Sequence, residues 1–190
     1  MLEKIVDDVY KITGVSNVYF LKKENILIDT GFSEDKELLK FELSKIISLD
    51  KIKTIIFTHL HYDHIGNFDL FKNSDFYASK EEIDDLKADR FGTLLNKQLL
   101  DVFNIKLKNI LQFKLPSYLE IISTPGHTKG SICIFDSKRK ILFSGDTLFD
   151  NDFEVIGRMD LPTSVPEKMS ESLNKLKKLD FIYLCSGHDY

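Results

Sequence analysis

The stretch from Thr58 to His64 carries the side chains best suited to chemistry. It contains three histidines and one aspartate: His59, His61, Asp63 and His64. The apolar run Ile52–Phe57 precedes it and has the length and β-branched content of a buried strand. Imidazole nitrogens and carboxylate oxygens are common protein ligands of divalent cations. The pattern therefore predicts a metal site at the point where a strand leaves its sheet.

The spacing within this stretch predicts two metal positions. In an extended segment, residues two apart point the same way, so His59 and His61 can converge on one cation. Asp63 and His64 are then directed toward a second position. The alternative is a surface loop rich in histidine by chance. With five histidines in 190 residues, we expect such a coincidence in less than about one case in a thousand.

Length and composition predict a globular protein of ordinary domain size. We expect a single domain spanning residues 1–190, long enough to bury a substantial core. The hydrophobic content of 43% and charged content of 29% are typical of soluble globular proteins. Cys133 and Cys185 both lie in apolar runs, which predicts buried small residues and not a disulfide or a thiolate metal site.

Charge and hydropathy bear on partners and location. No apolar run approaches the roughly 20 residues of a membrane span, and Met1–Lys4 does not begin a signal peptide, so we expect a cytoplasmic protein. A net charge of −4 provides no basic face for a nucleic acid. The expected partner is a small-molecule substrate, without membrane or nucleic acid, and the sequence leaves the oligomeric state open.

Apolar periodicity predicts the elements that position the histidines. The predicted strands of the first half are Ile5–Thr13, Asn17–Lys22, Ile26–Asp29, Ile52–Thr58 and Asp75–Ala78. The predicted helices are Ser33–Ile47 with Ser33 as N-cap, a short one over His64–Phe68, and Ser79–Asp89. The segment Phe91–Phe113 keeps helical spacing only at first, so we expect either a lid or pocket wall, or an ordinary packing helix.

The second half repeats the pattern of strands followed by chemically competent residues. Its predicted strands are Tyr118–Ser123, Ser131–Phe135, Lys140–Phe143 and Phe181–Cys185. A helix is predicted over Pro166–Leu179, with Ser164 and Glu167 spaced as a capping box.

Three predicted strands lead to a glycine followed at once by a possible ligand. The pairs are Gly126-His127, Gly145-Asp146 and Gly187-His188. Glycine permits a sharp or left-handed turn that aims the next side chain across the strand ends. All five histidines then stand at one rim of the sheets, where α/β proteins usually build their sites.

These motifs, in this order, resemble the metallo-β-lactamase-fold hydrolases. The matching segments are His59-x-His61-x-Asp63-His64, Thr124-Pro125-Gly126-His127-Thr128, Gly145-Asp146 and Gly187-His188. The resemblance implies an α/β (α+β) fold, a four-layer αββα sandwich with two sheets back to back, and a dinuclear metal site along one edge.

The resemblance also implies a role for each residue that matches the motifs. The first metal would be held by His59, His61 and His127. The second would be held by Asp63, His64 and His188, with Asp146 bridging the two. Asp29, in Asp-Thr-Gly, matches an early aspartate that orients the histidine segment.

Further motifs resemble the glyoxalase II-like branch of this superfamily, which acts on thioesters. They are Gly157–Pro162, which reads G-R-x-D-L-P, and Pro125–Ser131. Arg158 and Asp160 would contact substrate, or else form an ion pair that orders their loop. Tyr62 is a candidate for substrate contact. His61, where flavodiiron proteins carry glutamate, argues against redox chemistry of that kind.

The expected chemistry follows from two cations held close together. They lower the pKa of a shared water from 15.7 toward ~7, so a bridging hydroxide attacks the acyl carbon at neutral pH. Asp63 and Asp146 take part in catalysis as ligands. A thiol of pKa ~8.5 leaves as the anion without a strong general acid. Zinc is the expected metal, with iron or manganese as alternatives.

Departures from the branch keep other functions open. The chain stops at Tyr190, without the C-terminal helical domain of glyoxalase II, so glutathione recognition is not expected. The carboxylate of Tyr190 is expected near the second metal. The alternatives are a mononuclear-iron persulfide dioxygenase, and a phosphodiesterase or lactonase of the same fold.

Overall fold

Two β-sheets face each other, with helices on their outer faces, in this computed structural model, which describes residues 1–189. The larger sheet has seven strands in chain order: β1 (Leu2–Val6), β2 (Val9–Ile12), β3 (Val18–Leu21), β4 (Ile26–Ile28), β5 (Thr54–Ile56), β6 (Asp75–Ala78) and β7 (Leu107–Asn109). The smaller sheet has the order β11-β10-β9-β8, with β8 (Leu119–Ser123), β9 (Ile132–Asp136), β10 (Ile141–Gly145) and β11 (Tyr183–Ser186). The helices are α1 (Lys36–Ser44), α2 (Tyr62–Ile65), α3 (Lys80–Ala88), α4 (Arg90–Leu94), α5 (Leu99–Val102) and α6 (Pro166–Leu176).

Strand alternation in the larger sheet divides its side chains between two apolar cores. In β3, Val18 and Phe20 belong to the core under α1, whereas Tyr19 and Leu21 belong to the core between the two sheets. Successive side chains of a strand point to opposite faces, so a strand buried on both faces must be apolar at every position. This is why β3 contains only hydrophobic and aromatic residues.

The smaller sheet repeats this arrangement against α6. Ile132 and Ile134 of β9 face the core between the sheets, and Cys133 faces a third core that includes Leu176 of α6. Three cores separate four layers, helix, sheet, sheet and helix, so the αββα arrangement predicted from the resemblance is confirmed.

Parallel pairing brings the site-bearing loops to one end of the sheets. The neighbouring strands β4, β5 and β6 run parallel, as do β10 and β11. The segments that follow β5, β10 and β11 therefore leave at carboxyl ends, where open α/β sheets build their ligand sites.

Several predicted elements differ from those observed. The predicted strand Ile5–Thr13 is part of a hairpin, because Asp8 adopts a left-handed conformation (φ 64°) that separates β1 from β2. Ser33 does not cap α1 through its side chain; it begins a 3-10 turn that ends at Asp35. The predicted capping box is also wrong, because the Ser164 hydroxyl donates to the carbonyl of His127 and α6 begins at a proline.

The boundaries of two predicted helices also shift. The short helix predicted from His64 is α2, which begins at Tyr62, and a separate 3-10 turn spans Phe68–Leu70. Helix α6 ends at Leu176, not Leu179. By contrast, β6 has the predicted bounds, and Ser79 caps α3 by accepting from the Glu82 amide.

The segment from 91 to 113 is neither a lid nor a single packing helix. It contains α5, most of α4, and β7, which extends the edge of the larger sheet. Leu94, Leu99 and Phe103 are buried in the core under α1. Leu95, left-handed at φ 56°, lines the site described below, so the pocket-wall interpretation holds for this one residue.

Two further expectations concern the cysteines and the membrane. Cys133 and Cys185 are buried and unpaired, as predicted. Over residues 1–189, every helix is too short or too polar to cross a bilayer. The predicted position of the Tyr190 carboxylate lies outside the described residues.

The contribution of the third core to stability can be tested at Leu176 of α6. Leu176 is fully buried in it, so Leu176→Ala should lower the free energy of unfolding by about 2–5 kcal/mol in urea denaturation, through lost burial and a residual cavity. Leu111→Ala is the control, because Leu111 is 80% exposed and its loss should change stability by less than about 0.5 kcal/mol. Equal effects of the two changes would contradict this packing.

Candidate metal centre

Four loops at one end of the sheets bring all seven predicted ligands together. They follow β5, β8, β10 and β11. The possible ligand atoms form three groups, each with its atoms within 4.8 Å of one another: His59, His61 and His127; His59, His64 and Asp146; and Asp63, His64 and His188. The first and third groups correspond to the predicted first and second metal positions. Their assignment to metal ions stays a prediction.

Asp146 lies between the two predicted metal positions. Its Oδ1 is 3.2 Å from Nε2 of His64, and its Oδ2 is 3.5 Å from Nε2 of His127 and 3.4 Å from Nε2 of His188. Nε2 of His188 is also 3.3 Å from Oδ2 of Asp63. The carboxylate of Asp146 thus faces histidines of both groups, as a bridging ligand would.

Asp29 orients His64 directly and His59 through Thr58. It accepts a hydrogen bond from Nδ1 of His64 at 2.9 Å, and two more from the backbone amide and hydroxyl of Thr58, both at 2.8 Å. The Thr58 hydroxyl in turn lies 3.1 Å from Nδ1 of His59. With both Nδ1 atoms occupied in this way, the Nε2 lone pairs of His59 and His64 point toward the centre.

Backbone carbonyls orient two more imidazoles in the same way. Nδ1 of His127 donates to the carbonyl of Arg158 at 2.8 Å, and Nδ1 of His188 donates to the carbonyl of Val15 at 2.7 Å. Their Nε2 atoms therefore face inward, where each can coordinate a cation in its deprotonated form. An outer acceptor that fixes the tautomer is the usual arrangement around metal-bound histidine.

The inward-facing atoms fit a cation. Among the described residues, Nε2 of His59, His61 and His64 and Oδ1 of Asp146 are buried without a hydrogen bond. Leaving a buried polar atom unsatisfied costs about 1–3 kcal/mol. Divalent ions at the two predicted positions would together satisfy all four atoms, and a donor set of imidazoles and carboxylates suits zinc, iron or manganese.

Protonation preferences differ from one predicted ligand to the next. Burial lowers the pKa of His61 to about 3, helped by the nearby His127, and burial holds the pKa of His59 well below its usual range. Burial raises the pKa of Asp146, but the neighbouring histidines outweigh it and the net shift is well downward. Burial lowers the pKa of His188, but hydrogen bonds to the carboxylates of Asp146 and Asp63 raise it to about 9. A proton and a metal ion compete for such a nitrogen.

The glycines before the ligands act in two ways. Gly145 has a φ of +49°, and a Cβ there would lie 2.7 Å from Thr58, so this position needs glycine for both its conformation and its packing. Gly187 lacks a positive φ and is instead packed against Asp146 and His64. The predicted left-handed turn is therefore confirmed for Gly145. Gly187 instead allows the side chains of Asp146 and His64 to approach the backbone closely.

A pocket of about 230 Å³ opens above the cluster. Its apolar walls are formed by Leu95, Phe149, Ile156 and Leu161, and its polar side by Tyr62 and Arg158 together with five of the predicted ligands. Tyr62 packs edge-on against Phe32, with ring centroids 5.6 Å apart. Of the four predicted orienting or substrate-side residues, Tyr62 and Arg158 reach the pocket, Asp29 lies beneath the cluster, and Asp160 lines no part of it.

The predicted ion pair in the G-R-x-D segment is present. Two parallel hydrogen bonds of 3.0 and 2.9 Å join the Arg158 guanidinium to the Asp160 carboxylate, and both side chains are about 70% exposed. The pair holds Arg158 at the mouth of the pocket with its charge compensated. Exposed pairs of this kind contribute little to stability.

The turn between β2 and β3 supports the group formed by Asp63, His64 and His188. The sequence pattern did not reveal this role. The Val15 carbonyl accepts from His188, and the Ser16 hydroxyl donates to the carbonyl of Asp63. These residues lie far apart along the chain, and the turn was visible only as polar residues after Gly14. One short turn thus contacts both His188 and Asp63, two of the three residues of the second group.

Asn17 extends this turn to the strand that carries His188. Its backbone amide donates to the carbonyl of Gly187 at 2.7 Å. Its side-chain amide donates to the carbonyl of Ser186 at 3.1 Å and to the carboxylate of Asp189 at 2.9 Å. Asn17 therefore fixes the chain on both sides of His188.

Removal of the Asn17 side chain should loosen the second metal position. We expect Asn17→Ala to weaken the weaker of two zinc-binding steps by roughly 10-fold, the lower end of the range for residues that support a ligand. A competition titration with a chromophoric chelator measures this. Asn25→Ala is the control, because Asn25 makes comparable hydrogen bonds to Lys51 and Lys53 in a distant turn. Equal zinc affinities for the two variants would contradict the proposed support.

The chain is similar to known metal-dependent hydrolases. A family model described as the metallo-beta-lactamase superfamily matches residues 12–188. A probable metallo-hydrolase of Methanocaldococcus jannaschii is 35% identical over 156 residues, which cover 81% of this chain and 66% of that protein, just under two thirds of its length. The hydroxyacylglutathione hydrolase GloC of Haemophilus influenzae is 31% identical, with 88% of this chain and 81% of that protein covered. The crystal structure of TTHA1623 in a di-iron-bound form has a TM-score of 0.69 and 25% identity, covering 95% of this chain and 91% of that one. The chain belongs to the metallo-β-lactamase superfamily.

Proposed function

We propose that the protein hydrolyses a thioester with two divalent metal ions, for which zinc is the proposed metal. The observation that carries this proposal is the position of Asp146, whose carboxylate faces histidines of both ligand groups at 3.2 to 3.5 Å. A structural metal site has no need for two adjacent ligand groups that open into a pocket. Catalytic sites, in contrast, keep positions free for water and substrate.

The proposed ligands form two sets, one for each ion, with one shared residue. The first ion is assigned to His59, His61 and His127, the second to Asp63, His64 and His188, and Asp146 is shared. Bound ions would supply Lewis acidity, which lowers the pKa of water and polarises an acyl carbonyl. The ring tautomers fixed by Asp29 and the backbone carbonyls keep the ligands aligned without further reorganisation.

The acid-base character of the pocket favours a thioester. The carboxylates of Asp63 and Asp146 have lowered pKa values, because histidines stabilise their ionised forms more than burial opposes them. Burial raises the pKa of Tyr62, with the carboxylate of Asp63 adding to it, so this phenol is a weak acid. With the histidines assigned to metal ions, the described residues that line the pocket include no strong proton donor. Such a site favours a leaving group that departs as an anion, and a thiolate of pKa ~8.5 does so more readily than an alkoxide.

The charge of the pocket argues against a phosphodiester. Over residues 1–189, Arg158 is the one lysine or arginine among its lining residues, and it is already paired with Asp160. The remaining walls are largely apolar and suit an acyl chain. Tyr62 and Arg158, on the polar side, are proposed to orient the substrate.

The relatives support the same class of reaction. The similarity to the Haemophilus influenzae hydroxyacylglutathione hydrolase supports a thioester as substrate. The similarity to a structure in a di-iron-bound form supports two metal ions, and iron is therefore the first alternative to zinc.

Metal analysis together with a substrate panel tests the proposal. We expect two metal ions per chain and oxygen-independent cleavage of a thioester, in preference to lactone, phosphodiester and persulfide substrates, with loss of activity after chelation. One iron per chain with oxygen consumption on a persulfide would overturn it in favour of a dioxygenase. Preferential cleavage of a lactone or phosphodiester would overturn the substrate class alone.

The assignment of His188 has its own test. His188→Ala should bind one metal ion per chain instead of two and lose thioesterase activity by at least about 100-fold, more than residues that only support a ligand cost. Elemental analysis after gel filtration and initial rates measure the two effects. Ser137→Ala is the control. Ser137 follows β9 at the end away from the predicted ligands, so this variant should retain both metal ions. A His188→Ala protein with two metal ions would refute the assignment.

A further inference from the structure

Glu82 is a buried carboxylate that lies outside the three ligand groups. It is 1% exposed, stands in the first turn of α3, and forms no ion pair with any described residue. Burial raises its pKa to about 7, and hydrogen bonds from Thr128 and Leu60 oppose this shift. A carboxylate taken out of water without a cationic partner is costly, so the bonds that it makes call for an explanation.

The two oxygens of Glu82 bind two different loops of the metal centre. Oε2 accepts from the backbone amide of Leu60 at 2.8 Å, and Oε1 accepts from the hydroxyl of Thr128 at 2.6 Å. Leu60 stands between His59 and His61, and Thr128 follows His127. One side chain thus joins the segments that carry all three predicted ligands of the first metal.

The position of Glu82 is itself fixed by close packing. Ser79 caps α3 by accepting from the Glu82 amide at 3.1 Å, and its hydroxyl donates to the carbonyl of Gly130 at 2.7 Å. A Cβ at Gly130 would lie 2.5 Å from the Glu82 amide nitrogen and 2.6 Å from Oγ of Ser79. The first turn of α3 therefore sits directly on the loop after His127, with no room for it to shift.

We propose that Glu82 is a positioning residue that fixes the spacing between the His59–His61 segment and His127 before a metal ion binds. The inference rests on the proposed metal-binding function. Three ligands from two loops must meet within about 0.5 Å of their productive geometry. A rigid carboxylate that accepts one bond from each loop does this without taking up a ligand position itself.

The effect of Glu82 on the first metal position can be isolated in the His188→Ala background, where that position alone is expected to remain. Glu82→Ala there should weaken zinc affinity by about 10- to 100-fold, the range for residues that support a metal ligand. Glu82→Gln should lose less, about 3-fold, because its amide can still accept from Leu60 and donate to Thr128. A chelator competition titration gives each affinity. Zinc affinity of Glu82→Ala within about 2-fold of the background would overturn the proposal.

Glu42→Ala is the matched control. Glu42 is also a buried helical carboxylate, 7% exposed, but it lies in α1 and pairs with Lys45 at 2.5 Å. This variant should lower the unfolding temperature without changing zinc affinity. Equal losses of zinc affinity in Glu42→Ala and Glu82→Ala would mean that general destabilisation is responsible, and would overturn the specific role.

A metal-free measurement separates this inference from the proposed function. In the apo-protein, Glu82→Ala should accelerate hydrogen exchange at the Leu60 amide, which donates to Glu82, by at least about 10-fold. If the wild-type chain bound no metal, the proposed function would fail, while this exchange rate would still test the link between the loops. An unchanged Leu60 exchange rate would overturn the link.

A milder variant keeps the test available if Glu82→Ala does not fold. Thr128→Val removes one hydrogen-bond donor and preserves the shape of the side chain. It should weaken zinc binding in the His188→Ala background by about 3- to 10-fold, the cost of roughly one typical hydrogen bond. Unchanged affinity in a folded Thr128→Val protein would overturn the proposal.

Discussion

At the strand ends, imidazole nitrogens and carboxylates face inward and lie close together, and the surrounding residues are arranged to hold them there. Lone pairs of His59, His61 and His64 face one another and Asp146 without a hydrogen bond among the described residues. Such an arrangement is unfavourable by itself, and outer contacts must hold it in place. Asp29, the carbonyls of Val15 and Arg158, and the hydroxyl of Thr58 occupy the outward ring nitrogens and direct the opposite ring nitrogens toward the centre.

The layered architecture explains how one small chain can carry such a cluster. Three apolar cores fix the strands, so the loops that follow β5, β8, β10 and β11 start from rigid positions at one end. Asn17 of the β2–β3 turn contacts the strand end that carries His188, and Glu82 of α3 joins the segments around His59 and His127. Each predicted metal position thus has its own support, one from a turn and one from a helix.

The sequence predicted those features whose signal is local. The H-x-H-x-D-H segment, the strand Asp75–Ala78 and a helix over Ser79–Asp89 could be predicted, because each depends on residues a few positions apart. The resemblance to a known superfamily supplied the four-layer fold. The sequence failed where a partner is distant: Ser164 looked like a helix cap, but its hydroxyl donates to His127, 37 residues away. The roles of Asn17 and Glu82 were invisible for the same reason, since a buried polar residue shows its purpose only when its partners are in place.

Anomalous X-ray diffraction from crystals of the metal-loaded protein tests the central claim most directly. We expect two peaks at the metal absorption edge, about 3.5–4 Å apart. One should lie among His59, His61 and His127, the other among Asp63, His64 and His188, with Asp146 in contact with both. A single peak, or two peaks away from Asp146, would contradict the account.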